Sequence, residues 1–255
     1  MLEGQGKTSI ISQGGLVNSR VFEGEGAVSS ANSLTAATPG WTPNAYAGTH
    51  YVQLDSGGWA PIVTNTEDTL TLETVLPVAD PVVFKIHPLQ SLDRLFGANN
   101  RAGFSSGADF SSSDILALWD SATQNYAGYY YYNSVRERWE DASNNFAGDT
   151  ILYPDEGLLI IGVSAGSIRI KGEPQLGGTS GMIAGDSGMS IMPNPYPVPL
   201  VLKDAGFEQA ISGGSSCGDS DWLLIWNNGL QSFFDYFYYD TDDNTWKDAG
   251  NNPAK

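Results

Sequence analysis

Asn125–Trp139 is NYAGYYYYNSVRERW, and Ser232–Trp246 is SFFDYFYYDTDDNTW. The two stretches are one element written twice. A shift of 107 residues places Asp114, Leu116, Trp119 and Gln124 on Asp221, Leu223, Trp226 and Gln231. It places Tyr129, Tyr131, Tyr132 and Trp139 on Tyr236, Tyr238, Tyr239 and Trp246, and the run continues through Asp141/Asp248, Asn144/Asn251 and Ala147/Ala254. Between 114 and 147 this gives 13 identities in 34 gapless positions. An internal repeat of this kind organises the whole chain.

Working outward, the same shift lays Tyr46–Val63 (YAGTHYVQLDSGGWAPIV) on Tyr153–Ile170 (YPDEGLLIIGVSAGSIRI) more weakly. Both read as strand, glycine turn, strand. The expected order is hairpin A, aromatic hairpin B, A, B. Before it, Thr8–Phe22 (TSIISQGGLVNSRVF) has a Gly-Gly between two β-rich runs and reads as a further A-like hairpin. ILYPDEGLLIIGV follows the first B; nothing like it follows the second. The expected organisation is an N-terminal strand or hairpin segment over 1–43, a first β repeat over 44–150 and a second over 151–255.

The remaining pattern is also strand and turn. Thr49–Leu54, Ala60–Val63, Thr69–Leu72 and Val82–Ile86 are short β-rich runs separated by SGG, NTED and a proline. Only Ser91–Phe96, closed by Gly97, suggests a helical turn. Thirty glycines in 255 residues fit many turns, and 41% hydrophobic residues support a folded core. The fold class is therefore all-β: two tandem repeats of about 107 residues, sandwich or barrel-like, with at most short helical turns.

In the strands before the tyrosines, both faces are apolar. Leu116, Leu118, Leu223 and Ile225 share one face; Ile115, Ala117, Trp119, Trp222, Leu224 and Trp226 share the other. That pattern suits a central strand between packed layers. Trp119, Tyr129, Tyr131 and Trp139, with Trp226, Tyr236, Tyr238 and Trp246, are then either cross-strand packing or, where exposed, a surface for sugars or a subunit contact.

Twelve basic against twenty-nine acidic residues give a net charge of -17, which repels nucleic acid and anionic membrane surfaces. No apolar run is long enough for a transmembrane helix, and the first residues lack a leader pattern. The Gly, Ser, Thr, Asn and Tyr bias points to an extracellular or cell-surface location for a mature form. The single cysteine, Cys217, excludes an intrachain disulfide.

Two serine signatures, GVSAG at 162–166 and GDSG at 185–188, lack the context that catalysis needs. The first is not followed by a helix. The only histidines, His50 and His87, sit in or beside strand patterns without a supporting motif. Zinc-ligand spacing and a phosphate-cradling loop are absent from the sequence. No enzyme and no resident cofactor are expected. One cation candidate remains. Asp240, Asp242, Asn244 and Asp248 place oxygen ligands at alternating positions suited to Ca²⁺, but Thr245 stands where such a loop carries glycine.

PGWTPNAYAGTHYVQLDSG, TEDTLTLE, FKIHPLQSLDRLFG, the YYYY…W element and ILYPDEGLLI together resemble a group of uncharacterised secreted proteins of Verrucomicrobia and other environmental bacteria. The resemblance extends from about Val21 to Trp246. It implies an exported, β-rich protein and no particular activity. Two functional expectations follow. One is a self-assembling surface protein, in which the N-terminal segment (Thr8, Ser9, Ile10, Ile11, Leu16, Val17, Val21, Phe22) fills the edge left open beside the second aromatic hairpin of the next subunit. The other is a carbohydrate-binding or adhesin module using exposed aromatics.

Overall fold

A computed structural model describes residues 8–11, 16–17, 19–30, 32–120, 122–154, 156–164, 168–170, 173–174, 188–192, 199–227 and 229–254. The architecture is all-β, as expected. Two short strands come first, β1 (Thr8–Ile11) and β2 (Leu16–Val17). Six more then close on themselves: β3 (Phe22–Ser30), β4 (Ser33–Ala36), β5 (His50–Leu54), β6 (Trp59–Asn65), β7 (Thr69–Leu72) and β8 (Ala79–Pro88). The order around the barrel is β3-β4-β7-β6-β5-β8.

Closure depends on β3 and β8, the two longest barrel strands, which pair antiparallel from Phe22↔Ile86 to Val28↔Ala79. Alternation on β8 sends Val82, Phe84 and Ile86 inward. They meet Val28, Leu34, Val52, Leu54, Ile62, Leu70 and Leu72 in one apolar interior. Trp41 plugs one side of it, edge-on to Phe22 at 5.1 Å. Gly26 is required where β3 passes β4, because a Cβ there would lie 2.4 Å from the Thr35 carbonyl oxygen.

The chain leaves the barrel through β9 (Gln90–Ser91), which pairs with β13 (Ile151–Leu152). Trp59 of the barrel also stacks on Tyr153. Next come a single π-type turn at Asp93–Gly97, where a helical turn was expected, and a 3-10 turn at Phe110–Ser112. Then follow β10 (Ile115–Asp120), β11 (Asn125–Asn133) and β12 (Arg138–Asp141). With β14 (Leu158–Ile161) they form a five-stranded sheet in the order β1-β14-β10-β11-β12. β15 (Glu173–Pro174) pairs with β2. The last unit carries β16 (Leu223–Asn227), β17 (Ser232–Asp240) and β18 (Thr245–Asp248) as a separate three-stranded sheet.

Trp139 anchors the five-stranded sheet. It is fully buried, packs against Phe96, Phe104 and Tyr132, and its Nε1 donates to the Gly97 carbonyl at 3.0 Å. Leu92, Leu95, Leu116, Leu118, Leu158 and Ile160 complete this second core.

Three expectations change. Thr8–Phe22 is not a hairpin: β1 pairs with β14, β2 pairs with β15, and Phe22 opens the barrel, while Val21 is exposed at its rim. The boundary at 43 falls inside the barrel, and the one at 150 separates β14 from the sheet it completes. The two A elements also differ: Tyr46–Val63 contributes the β5–β6 hairpin to the barrel, whereas Leu158–Ile161 inserts between β1 and β10. All three changes come from long-range ladders, which local turn chemistry does not encode. The repeat that survives in three dimensions is the aromatic unit alone.

Replacing Trp139 with alanine removes the anchor of the second core and its hydrogen bond. The expected loss is about 3–5 kcal/mol in urea unfolding monitored by near-UV circular dichroism.

Candidate functional site: the two aromatic sheets and their edges

The two aromatic units have the same local build. β10–β11–β12 and β16–β17–β18 share antiparallel pairing, with a bulge after Leu118 in one and after Ile225 in the other. Gln124 and Gln231, Glu137 and Asn244, and Asn144 and Asn251 all adopt positive φ. The outer strands β12 and β18 are each followed by a turn that folds back on them, through the bridges Glu140↔Phe146 and Lys247↔Pro253.

The tyrosines are chiefly structural. Tyr131 and Tyr238 are buried; the Tyr238 hydroxyl donates to Asn251 Oδ1 at 2.7 Å, and the Tyr131 hydroxyl shares its one hydrogen between Asn144 Oδ1, 2.8 Å away, and the carboxylate of Glu140. Trp139 and Trp246 are buried as well. Trp119 lies edge-on to Tyr126, which is tilted against Tyr129; Trp226 lies edge-on to Phe233, and Tyr236 edge-on to Trp222. These are mutual packing contacts, and their edge-on geometry gives no coplanar platform for a sugar ring.

At the heart of each unit lies a buried charge, and its sign is reversed between them. In the first, the fully buried Glu140 accepts from Tyr131 Oη at 2.8 Å, Asn133 Nδ2 at 2.9 Å, Arg136 Nη1 at 2.9 Å and Arg138 Nε at 2.7 Å. Burial opposes ionisation of this carboxyl, but the four donors outweigh it and bring its pKa down to about 2. In the second, Lys247 takes the place of Glu140, Asp240 that of Asn133 and Asp243 that of Arg136. Lys247 Nζ donates to Asp240 Oδ2 at 2.8 Å and to Asp243 Oδ2. These contacts hold the Asp240 carboxyl below its usual range and push the lysine up.

This network occupies part of the calcium candidate. Asp240 Oδ2 faces the Lys247 ammonium, and its Oδ1 accepts from the Asp242 and Asp243 amides. Asp248 Oδ1 accepts from the Asn252 amide at 2.9 Å. Asn244 turns the chain at φ 51°. The described residues hold no group of three or more His, Cys, Asp or Glu placed to share a metal ion. Of the four candidate ligands, Asp240 is neutralised by the Lys247 ammonium and Asp248 is engaged by the Asn252 amide.

Of the serine signatures, Ser164 lies 3.0 Å from Ser105 Oγ, and Ser187 falls outside the described residues. His50 contacts Tyr46 and His87 stacks on Tyr51, both within the barrel.

The units differ in what borders them. β10 lies between β11 and β14, and Ile115, Leu116, Ala117 and Leu118 are at most 3% exposed. Among the described residues β16 is paired only with β17, and Trp222, Leu224 and Ile225 are 53%, 38% and 38% exposed. A strand with a central strand's composition thus stands at an edge. Comparison with protein-family models, with curated proteins and with solved structures finds no match to this chain.

Two outcomes test the buried charges. Glu140 ionises at about 2 when folded and near 4.5 when free, so its contribution to stability is complete above 4.5 and is lost as pH falls through about 2. The difference in stability between wild type and Glu140→Gln should shrink over that window in acid titrations of unfolding. Lys247→Glu alone should destabilise the second unit, by setting a third carboxylate beside Asp240 and Asp243. Adding Asp240→Asn and Asp243→Arg, which reproduces the first unit's set, should recover most of that loss.

Proposed function

We propose that this chain is the subunit of a self-assembling extracellular structural protein, built by strand pairing between copies. The observation that carries the proposal is the β16 edge. Its equivalent in the same chain, β10, is buried by an apolar strand on that side, whereas among the described residues Leu223–Ile225 of β16 have no strand there and Leu224 and Ile225 are exposed. Such an edge templates strand addition.

The occupant we assign is β1 of a second copy. Among the described residues β1 lies at the margin of the five-stranded sheet and pairs only with β14. In the structure it caps its own sheet, so it reaches the neighbour without leaving its place, by offering its second edge. TSII of β1 and LLII of β14 share their Ile-Ile ending. Joined to β16 as β14 is joined to β10, it aligns Ile11 with Trp222 and Ile10 with Leu223. The contact is heterologous, since β1 and β16 are different surfaces, and it builds an open filament unless rotation closes it. Residues 44–150 and 151–255 do not act as two interchangeable repeats in this scheme. One aromatic sheet is complete and the other receives. The extracellular location rests on composition and on the resemblance to secreted bacterial proteins. Polysaccharide binding is less favoured, because the aromatics that would serve it are engaged with one another.

The test is assembly against concentration, followed by light scattering and negative-stain electron microscopy. Filaments or growing oligomers are expected for the full chain. Ile225→Lys, which alters an exposed side chain on β16, should leave a folded monomer. A wild-type chain that stays monomeric at all concentrations would overturn the proposal.

A further inference from the structure

We propose that Ser212 and Asp221 form a clasp that recognises the end of the strand entering the β16 edge and fixes its direction and register. This rests on the reading of β16 as an acceptor edge. The first unit shows the clasp in use. Ser105 N donates to Asp114 Oδ2 at 2.7 Å, and Asp114 N returns a bond to the Ser105 carbonyl at 2.8 Å. The other carboxylate oxygen, Oδ1, accepts from Val163 N at 2.8 Å. Beside it, the Ser105 and Ser164 hydroxyls are 3.0 Å apart.

These contacts lie where the backbone ladder ends. Ile161, the last residue of β14, faces Ile115, the first of β10. Asp114 precedes Ile115, and Val163 follows Ile161 by two residues. The aspartate side chain therefore continues the ladder past its last rung, and the serine adds a hydroxyl contact one residue further.

The second unit has the same two residues at the same shift. Ser212 N donates to Asp221 Oδ2 at 2.7 Å, and Asp221 N donates to the Ser212 carbonyl at 2.8 Å. Thus the carboxylate is already held in the orientation that serves Val163 in the first unit. Among the described residues, Asp221 Oδ1 and the Ser212 hydroxyl hold nothing. Asp114 is buried under its strand, while Asp221 is exposed beside Trp222.

The chemistry of the ligand follows. It is an extended four-residue segment ending in two apolar residues, antiparallel to β16, with a free main-chain N–H two residues past the last of them; in the β1 sequence that residue is Gln13, and because Gly14 stands where the first unit has Ser164, the clasp holds β1 through the main-chain N–H alone. A proline or N-alkylated residue at the N–H position would leave Asp221 Oδ1 without a donor as it is desolvated. A strand of reverse direction brings its other end to Asp221 and loses the same contact. Asp221 is thus a positioning residue for partner strands, and bonds to a charged acceptor are the stronger kind.

The experiment is fluorescence-anisotropy binding of a synthetic peptide, GLLIIGVS (residues 157–164) with two added N-terminal lysines, to the full chain. Binding is expected. N-methylation of the Val163 amide should weaken it on the order of tenfold, and methylation at Gly157 should not. Asp221→Ala should weaken the unmodified peptide by a similar factor and leave the Val163-methylated peptide no weaker than on wild type. The peptide modification leaves the protein untouched, so misfolding of a variant cannot imitate it. Equal binding of both methylated peptides overturns the clasp and leaves the acceptor edge standing. Failure of the unmodified peptide to bind overturns both. Methylation-sensitive binding by a chain that forms no filaments supports the clasp and removes β1 as its natural occupant.

Discussion

A strand that is apolar on both faces and carries a row of backbone donors and acceptors needs neighbours on both sides. β10 meets that demand, with β11 on one side and β14 on the other, and Ile115, Leu116, Ala117 and Leu118 are sealed from water. The five-stranded sheet, the Trp139 core and the recruitment of a segment from beyond the repeat all follow from it. The barrel answers the same demand differently, by closing on itself through β3 and β8, and so presents no edge of its own. Among the described residues only the second aromatic unit carries such a strand with one side unserved, and the proposed assembly contact falls there.

The aromatic runs contribute in an unspectacular way. Alternate tyrosines point into the unit, and two of them carry hydroxyls that reach the asparagine of the closing turn. A buried Tyr with a satisfied hydroxyl adds apolar area without leaving a polar atom stranded. Trp246 is less well served than Trp139: its Nε1 is buried without a hydrogen-bond partner among the described residues, and Asp204 stands where Gly97 offers its carbonyl to the first unit. Among the described residues the second unit therefore has one hydrogen bond and one strand fewer than the first.

Much of this is legible before any coordinates. Thr69–Leu72 has the bounds of β7, and the β5–β6 hairpin follows from its SGG turn, because adjacent strands and tight turns are set by local chemistry. The central position of β10 can be read from residues 115–119. What the sequence hides is pairing at a distance. Nothing near Phe22 announces Ile86, and nothing near Thr8 announces Ile161. The site residues fall between these cases. Ser105/Ser212 and Asp114/Asp221 recur at the 107-residue shift, but their role appears only when Val163 arrives from another part of the chain. Glu140 and Lys247 escape a search for identities because they are opposites. The signal that finds them is correlated change: three aligned positions, 133/240, 136/243 and 140/247, altered together in a way that preserves pairing.

That reversal also bears on how a tandem repeat avoids confusing its own halves. Two nearly identical hairpins in one chain can exchange strands while folding. Were β12 to zip onto β17 in place of β18, Glu140 would be buried against Asp240 and Asp243. Were β18 to zip onto β11, Lys247 would meet Arg136. The first crossed product sets Glu140 against the buried Asp240 and the second sets Lys247 beside the more exposed Arg136, so the opposite polarities of the two cores disfavour both exchanges. Each half of the duplication recognises its own strands and rejects its sibling's.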